Sequence, residues 1–156
     1  DGTQADEVTP PEPTLPSLED GWTFVEPGGE TVCSRGTEFF FLVRKGTVNK
    51  VVVEFMGGGA CWNAQTCGFA NAIFNEDIAF LKSMWGADSV APGIYDHETP
   101  DNPFKDWYHI FIPYCTGDIH WGDAVVEYGS GDGAFTLNHK GAVNTRSVLD
   151  WMGKNF

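Results

Sequence analysis

The run Val51-Val52-Val53-Glu54-Phe55-Met56-Gly57-Gly58-Gly59-Ala60-Cys61-Trp62-Asn63 constrains this chain more than any other. Three β-branched residues favour a buried strand, and three glycines end it with a backbone that no side chain covers. Uncovered N–H groups at a strand-to-helix connection can point at a negatively charged oxygen, which is how hydrolases build an oxyanion hole. The triplet equally fits a tight turn that lets a loop pass close to the sheet. These residues alone leave both readings open.

The flanking segments suggest the frame around this run. Residues 1–20 are rich in proline, acid and threonine, with Pro10, Pro11, Pro13 and Pro16, and read as an extended arm or linker. Order is expected over 21–156. Strands are predicted at 21–25, 38–45, 50–56 and 107–112. Apolar spacing predicts a helix over 70–85, with Gly86 as its stop. A second is predicted over 140–155, with Val143, Val148, Leu149 and Met152 on one face. The polar, glycine-rich passage 116–133 reads as loop. Strands alternating with helices indicate an α/β fold with a mostly parallel sheet and flanking helices. That architecture is incomplete in this chain, because the last helix has no strand to return to.

A length of 156 residues suits one domain, and 42 % hydrophobic residues suffice for a core. The net charge of −13, from 22 acidic against 9 basic residues, repels nucleic-acid backbones and anionic membrane surfaces. No apolar run is long enough to span a bilayer. The opening at Asp1, without a basic-then-apolar leader, is expected of a trimmed mature protein. Four cysteines, Cys33, Cys61, Cys67 and Cys115, form no C-x-x-C pair. The four histidines show no zinc-like spacing with them. Two disulfides are therefore expected, placing the protein in a secreted or periplasmic setting.

A nucleophile elbow, G-x-S-x-G, would put a serine on a strained turn between strand and helix. None is present: Ser130 sits in Tyr128-Gly129-Ser130-Gly131-Asp132-Gly133, where the glycine spacing is wrong. That segment lacks the lysine of a phosphate-binding loop as well. The other polar constellation is Cys115-Thr116-Gly117-Asp118-Ile119-His120-Trp121-Gly122-Asp123, just past the predicted strand at 107–112. Ligands gather at the carboxyl ends of strands in open α/β sheets. Asp118, His120 and Asp123 can line such a cleft, hold a divalent metal, or serve as acid and base. In the plainer reading Asp118 caps backbone N–H groups and His120 packs beside Trp121.

Several motifs resemble one family. They are Phe55 through Asn63, then Cys67, then Asn102-Pro103-Phe104, then Ile112-Pro113-Tyr114-Cys115-Thr116-Gly117-Asp118. Together they resemble the pectin acetylesterase family, which includes the carboxylesterase Notum, and the stretch Gly117 to Asp123 resembles its bacterial branch. The likeness runs from Trp22 to Phe156. It implies an α/β-hydrolase fold and serine-dependent hydrolysis of carboxylic esters, without a cofactor or metal. It further implies that the backbone N–H groups of Gly58 and Gly59 form part of the oxyanion hole, with Trp62, Asp118 and His120 in the substrate pocket. The family's disulfides map onto Cys61–Cys67 and Cys33–Cys115, where spacing alone leaves all three pairings open.

The chain departs from the family in lacking the Gly-x-Ser-Ala-Gly elbow and the acid and histidine that follow it. It is expected to be the amino-terminal half of a secreted serine carboxylesterase, inactive alone. Either the second half is a separate chain produced by cleavage or this chain is a truncation, and a partner carrying the nucleophile, acid and histidine is expected. Its ligand would be an acyl ester, with neither nucleic acid nor membrane as partner. Two other functions fit the residues: a non-catalytic carbohydrate-binding module using exposed Trp62 and Trp121, and a metal-dependent hydrolase using Asp118, His120 and Asp123.

Overall fold

A computed structural model describes residues 16–68, 72–85 and 93–156. Four short strands form the main sheet: β1 (Trp22–Val25), β2 (Phe41–Arg44), β3 (Val51–Phe55) and β4 (Tyr108–Ile112). Their order is β1-β2-β4-β3. β3 and β4 run parallel, while β1 pairs with β2 and β2 with β4 antiparallel. The α/β fold is as expected, but the described sheet is mixed, with parallel pairing confined to β3 and β4. Parallel neighbours need a crossover, and residues 56–107 provide it.

β4 is buried at every position, as its run Tyr-His-Ile-Phe-Ile requires of a central strand covered on both faces. Helix α3 (Gly141–Asn155) covers one face. Trp151 packs edge-on to Phe41, and Phe156 edge-on to Tyr108. The other face carries Leu42 and Phe111 beneath Leu81, Trp85 and Tyr95. α3 is anchored beyond apolar contact as well: the buried Asn144 amide pairs with both the N–H and the C=O of Val32, each at 3.0 Å. That two-bond pairing stands in for a strand partner and satisfies Asn144 where burial would otherwise be costly. Leu149, expected on the buried face of α3, is instead half exposed.

Two sequence expectations change. The helix predicted over 70–85 is reduced among the described residues to α2 (Phe80–Met84), preceded by the short α1 (Ala64–Cys67). The Asp77 carboxylate accepts from the Ala79 N–H at 2.6 Å, a local turn that delays the helix. Gly86 lies outside the described residues. The passage 116–133, read as loop, contains β5 (Ala124–Tyr128), which forms a hairpin with β6 (Phe135–His139). Of the arm at 1–20, residues 1–15 lie outside the described residues, and Leu18 packs against the core.

Both disulfides form as the resemblance implied. Cys33–Cys115 joins segments 82 residues apart, and Cys61–Cys67 closes a loop 6 residues apart. No helix among the described residues is long and apolar enough to cross a membrane.

Candidate active site

β3 and β4 are parallel, so their carboxyl ends lie on one side of the sheet. The glycine triplet leaves β3 there, and the loop 113–123 leaves β4 beside it. Met56 N–H to Ile112 C=O (2.9 Å) and Cys61 N–H to Gly117 C=O (2.9 Å) stitch the two connections together. Sequence distance has been converted into a corner of the fold.

None of the three glycines adopts the left-handed conformation. The need for glycine here is close approach. A Cβ on Gly58 would stand 2.5 Å from Cδ1 of Tyr114, and one on Gly59 would collide with Ile73. Gly57 faces open space. The N–H groups differ as well. Gly59 donates to Ile73 C=O at 3.2 Å, so one of the two donors expected to face a substrate oxygen is engaged in this structure. Among the described residues Gly58 N–H has no acceptor.

The opposing loop is held in an unusual backbone. Gly117, Ile119 and His120 have φ of 66°, 55° and 62°. For β-branched Ile119 this is a strained conformation, costing on the order of 1–3 kcal/mol. Two groups hold it. The Tyr114 hydroxyl accepts from Ile119 N–H at 2.7 Å. The Asp118 carboxylate accepts through Oδ1 from Thr116 Oγ1 (2.6 Å) and His120 N–H (3.1 Å), and through Oδ2 from Gly122 N–H (3.1 Å) and Gly141 N–H (2.7 Å). The last donor opens α3, so Asp118 also stands where the helix dipole favours negative charge. Asp118 thus does what the plainer sequence reading expected, capping backbone donors.

His120 does not pack beside Trp121. Its ring lies 4.8 Å from that of Tyr114 and edge-on to Phe55 at 5.2 Å, with Nε2 3.1 Å from Met56 C=O. A hollow of about 250 Å³ opens between the two connections, lined by Phe55, Met56, Gly57, Gly58, Tyr114, Ile119 and His120. Trp62 and Trp121 flank this pole with relative exposures of 69 % and 83 %. Tyr114 is the residue sequence reasoning undervalued. It lies inside the segment Ile112-Pro113-Tyr114-Cys115, but only the fold shows its ring under Gly58.

The metal-binding trio is not assembled. Asp123 pairs with Lys140 and Arg146, each at 2.8 Å, and Asp118 accepts from three backbone N–H groups and the Thr116 hydroxyl. Among the described residues one group of three metal-capable side chains converges: Cys61, Cys67 and His139. Its sulfurs are bonded to each other. The His139 ring nitrogens lie 2.8 Å from Thr116 C=O and 2.8 Å from the Tyr128 hydroxyl.

A family model described as pectinacetylesterase matches residues 20–155. The chain belongs to the pectinacetylesterase family. This family member is 27 % identical over 103 residues to the palmitoleoyl-protein carboxylesterase NOTUM of Schmidtea mediterranea. The match covers 64 % of the chain and 19 % of that relative. Two crystal forms of the Wnt deacylase Notum from Drosophila superpose with TM-scores of 0.56 and 0.53 at 22 % and 19 % identity. They cover 78 % and 86 % of this chain, and 34 % and 36 % of theirs. This pectinacetylesterase-family chain therefore spans about a fifth of the curated relative and about a third of the solved chains. At such identity the superposition shows fold alone, a partial α/β fold like that of the α/β-hydrolases.

Proposed function

We propose that this chain supplies the oxyanion-binding wall of a secreted serine carboxylesterase, the nucleophile, acid and catalytic histidine being carried by polypeptide beyond residue 156. The observation that carries this reading is the Gly58 N–H, which has no partner among the described residues. It sits at the carboxyl end of a parallel strand, over the Tyr114 ring. In the nucleophile-elbow arrangement one donor comes from such a loop and the other from the residue after the serine. Gly58 fits the first role without Gly59, whose N–H is committed to Ile73. Gly59 joins the hole only by releasing that bond.

The outer edge of β3 supports the missing partner. Among the described residues β3 pairs on one side only, with β4. A strand following α3 by a right-handed crossover can add in parallel there and bring a serine to the same end of the sheet as Gly58. A serine alkoxide would then attack the ester carbonyl, and Gly58 would hold the developing oxyanion. Removing one such donor costs about 100- to 1,000-fold in turnover. Two disulfides suit the secreted setting. The substrate is an acyl ester, with acetylated polysaccharide and acylated protein both compatible with this half of the pocket.

A serine-directed fluorophosphonate separates the possibilities. The full-length protein is expected to hydrolyse p-nitrophenyl acetate with or without chelator. The label should fall on a peptide outside residues 1–156, and residues 1–156 alone should show no turnover. Label on a serine within this chain, or robust turnover by it alone, overturns the division of labour.

The exposure of Trp62 and Trp121 favours a second reading beside the first, in which both indoles contact carbohydrate. Quenching of tryptophan fluorescence by a soluble polysaccharide, lost in Trp121→Ala, tests it.

A further inference from the structure

We infer that His120 is a positioning residue for the oxyanion-binding amide: its imidazole is a strut that fixes the peptide entering the glycine triplet. The inference rests on the esterase reading above, but its geometry stands by itself. Among the described residues the partner of Nε2 is the Met56 carbonyl at 3.1 Å, and a carbonyl cannot donate. Nε2 therefore carries the proton and donates. Met56 C=O belongs to the peptide that continues into Gly57 N–H, one peptide before the Gly58 amide. Holding that carbonyl fixes the plane from which the triplet departs.

A glycine triplet cannot hold its own direction, because each glycine has wide backbone freedom. Here the constraint comes from outside, on two sides. The Tyr114 ring lies against the Gly58 Cα and sets its height. The same tyrosine accepts from Ile119 N–H through its hydroxyl and lies beside the His120 ring. His120 then closes the circuit back to Met56. Its left-handed φ of 62° sends its side chain this way, and Asp118 Oδ1 holds its N–H. Phe55 packs against the remaining edge of the ring. The strained backbone of residues 119 and 120 thereby has a use: it aims an imidazole donor at the one carbonyl that orients the triplet.

The test uses the full-length protein and three forms of residue 120: the native histidine, His120→Phe and His120→Gln. Phenylalanine keeps the ring and loses the donor, while glutamine keeps an N–H at nearly the position of Nε2. A misplaced oxyanion donor weakens the transition state more than the ground state. His120→Phe is therefore expected to lower kcat on p-nitrophenyl acetate by roughly 10- to 100-fold with KM little changed. Its thermal midpoint should stay close to the native one, and His120→Gln should recover most of the loss. Unchanged kcat in His120→Phe, or a loss confined to KM, overturns the proposal. Failure of His120→Gln to recover turnover also overturns it, since that result assigns the ring to proton transfer. A second measurement is independent of turnover. The Met56 carbonyl carbon resonance should move upfield in His120→Phe and hold in His120→Gln, and the Gly58 amide resonance should shift with it. If the native protein hydrolyses no ester, the functional reading falls and these resonances still decide the strut: absence of a shift refutes it.

Discussion

Gly57, Gly58 and Gly59 look interchangeable in the sequence, but the structure separates them. Gly57 faces open space, so Gly57→Ala should leave folding stability within about 0.5 kcal/mol of the native value. Gly58→Ala drives a methyl into the Tyr114 ring and should cost roughly 1–3 kcal/mol in urea unfolding. If the full-length protein is the esterase proposed above, the same change should remove most of its turnover, because the ring and the amide cannot both stay in place. Equal unfolding midpoints for the two variants would contradict this ordering. The triplet was legible as a special backbone site, and its position after β3 was too. The inequality of its members was not, because Tyr114 and Ile73 reach it from 56 and 14 residues away in sequence, a contact that only the crossover creates.

At the level of elements, β3 and β4 were readable because runs dominated by β-branched and aromatic residues have few other places to go. The β5–β6 hairpin was not. Its outward face carries Val125 at 59 % exposure, and its turn, Gly129 to Gly133, matches the composition of plain loop. The buried strand β4 carries a titration signature at its second residue. His109 is almost fully buried against His97, Tyr95 and Trp22. Burial, followed by His97 and the Arg44 guanidinium, pushes its pKa down to about 4. The folded chain therefore keeps His109 neutral while the unfolded chain takes up a proton near pH 6.5. Its contribution is complete above about pH 6.5 and is lost as pH falls toward 4, amounting to on the order of 3 kcal/mol. Urea midpoints at pH 7.5 and 4.5 should diverge less in His109→Phe than in the native protein. An identical acid loss in both would assign the effect to the carboxylates.

For the molecule as a whole, the two disulfides separate stability from function. In the loop-closure picture Cys33–Cys115 contributes about 4–5 kcal/mol and Cys61–Cys67 about 2 kcal/mol, as their separations of 82 and 6 residues dictate. Replacing the first pair with alanine should lower the unfolding midpoint more. Replacing the second should lower turnover more, because Cys61 lies only two residues beyond Gly59 and anchors the loop that follows the triplet. A reversed ranking would refute the assignment. The Asp118 carboxylate has a different consequence. It braces the strained loop beside the triplet and accepts from the first N–H of α3, so the shape of that corner and the start of α3 share one carboxylate. The helix becomes a remote gauge. Slow deuterium uptake by the first turn of α3 certifies that the corner is set, and a substitution that loosens the corner through Asp118 should be visible there without any substrate.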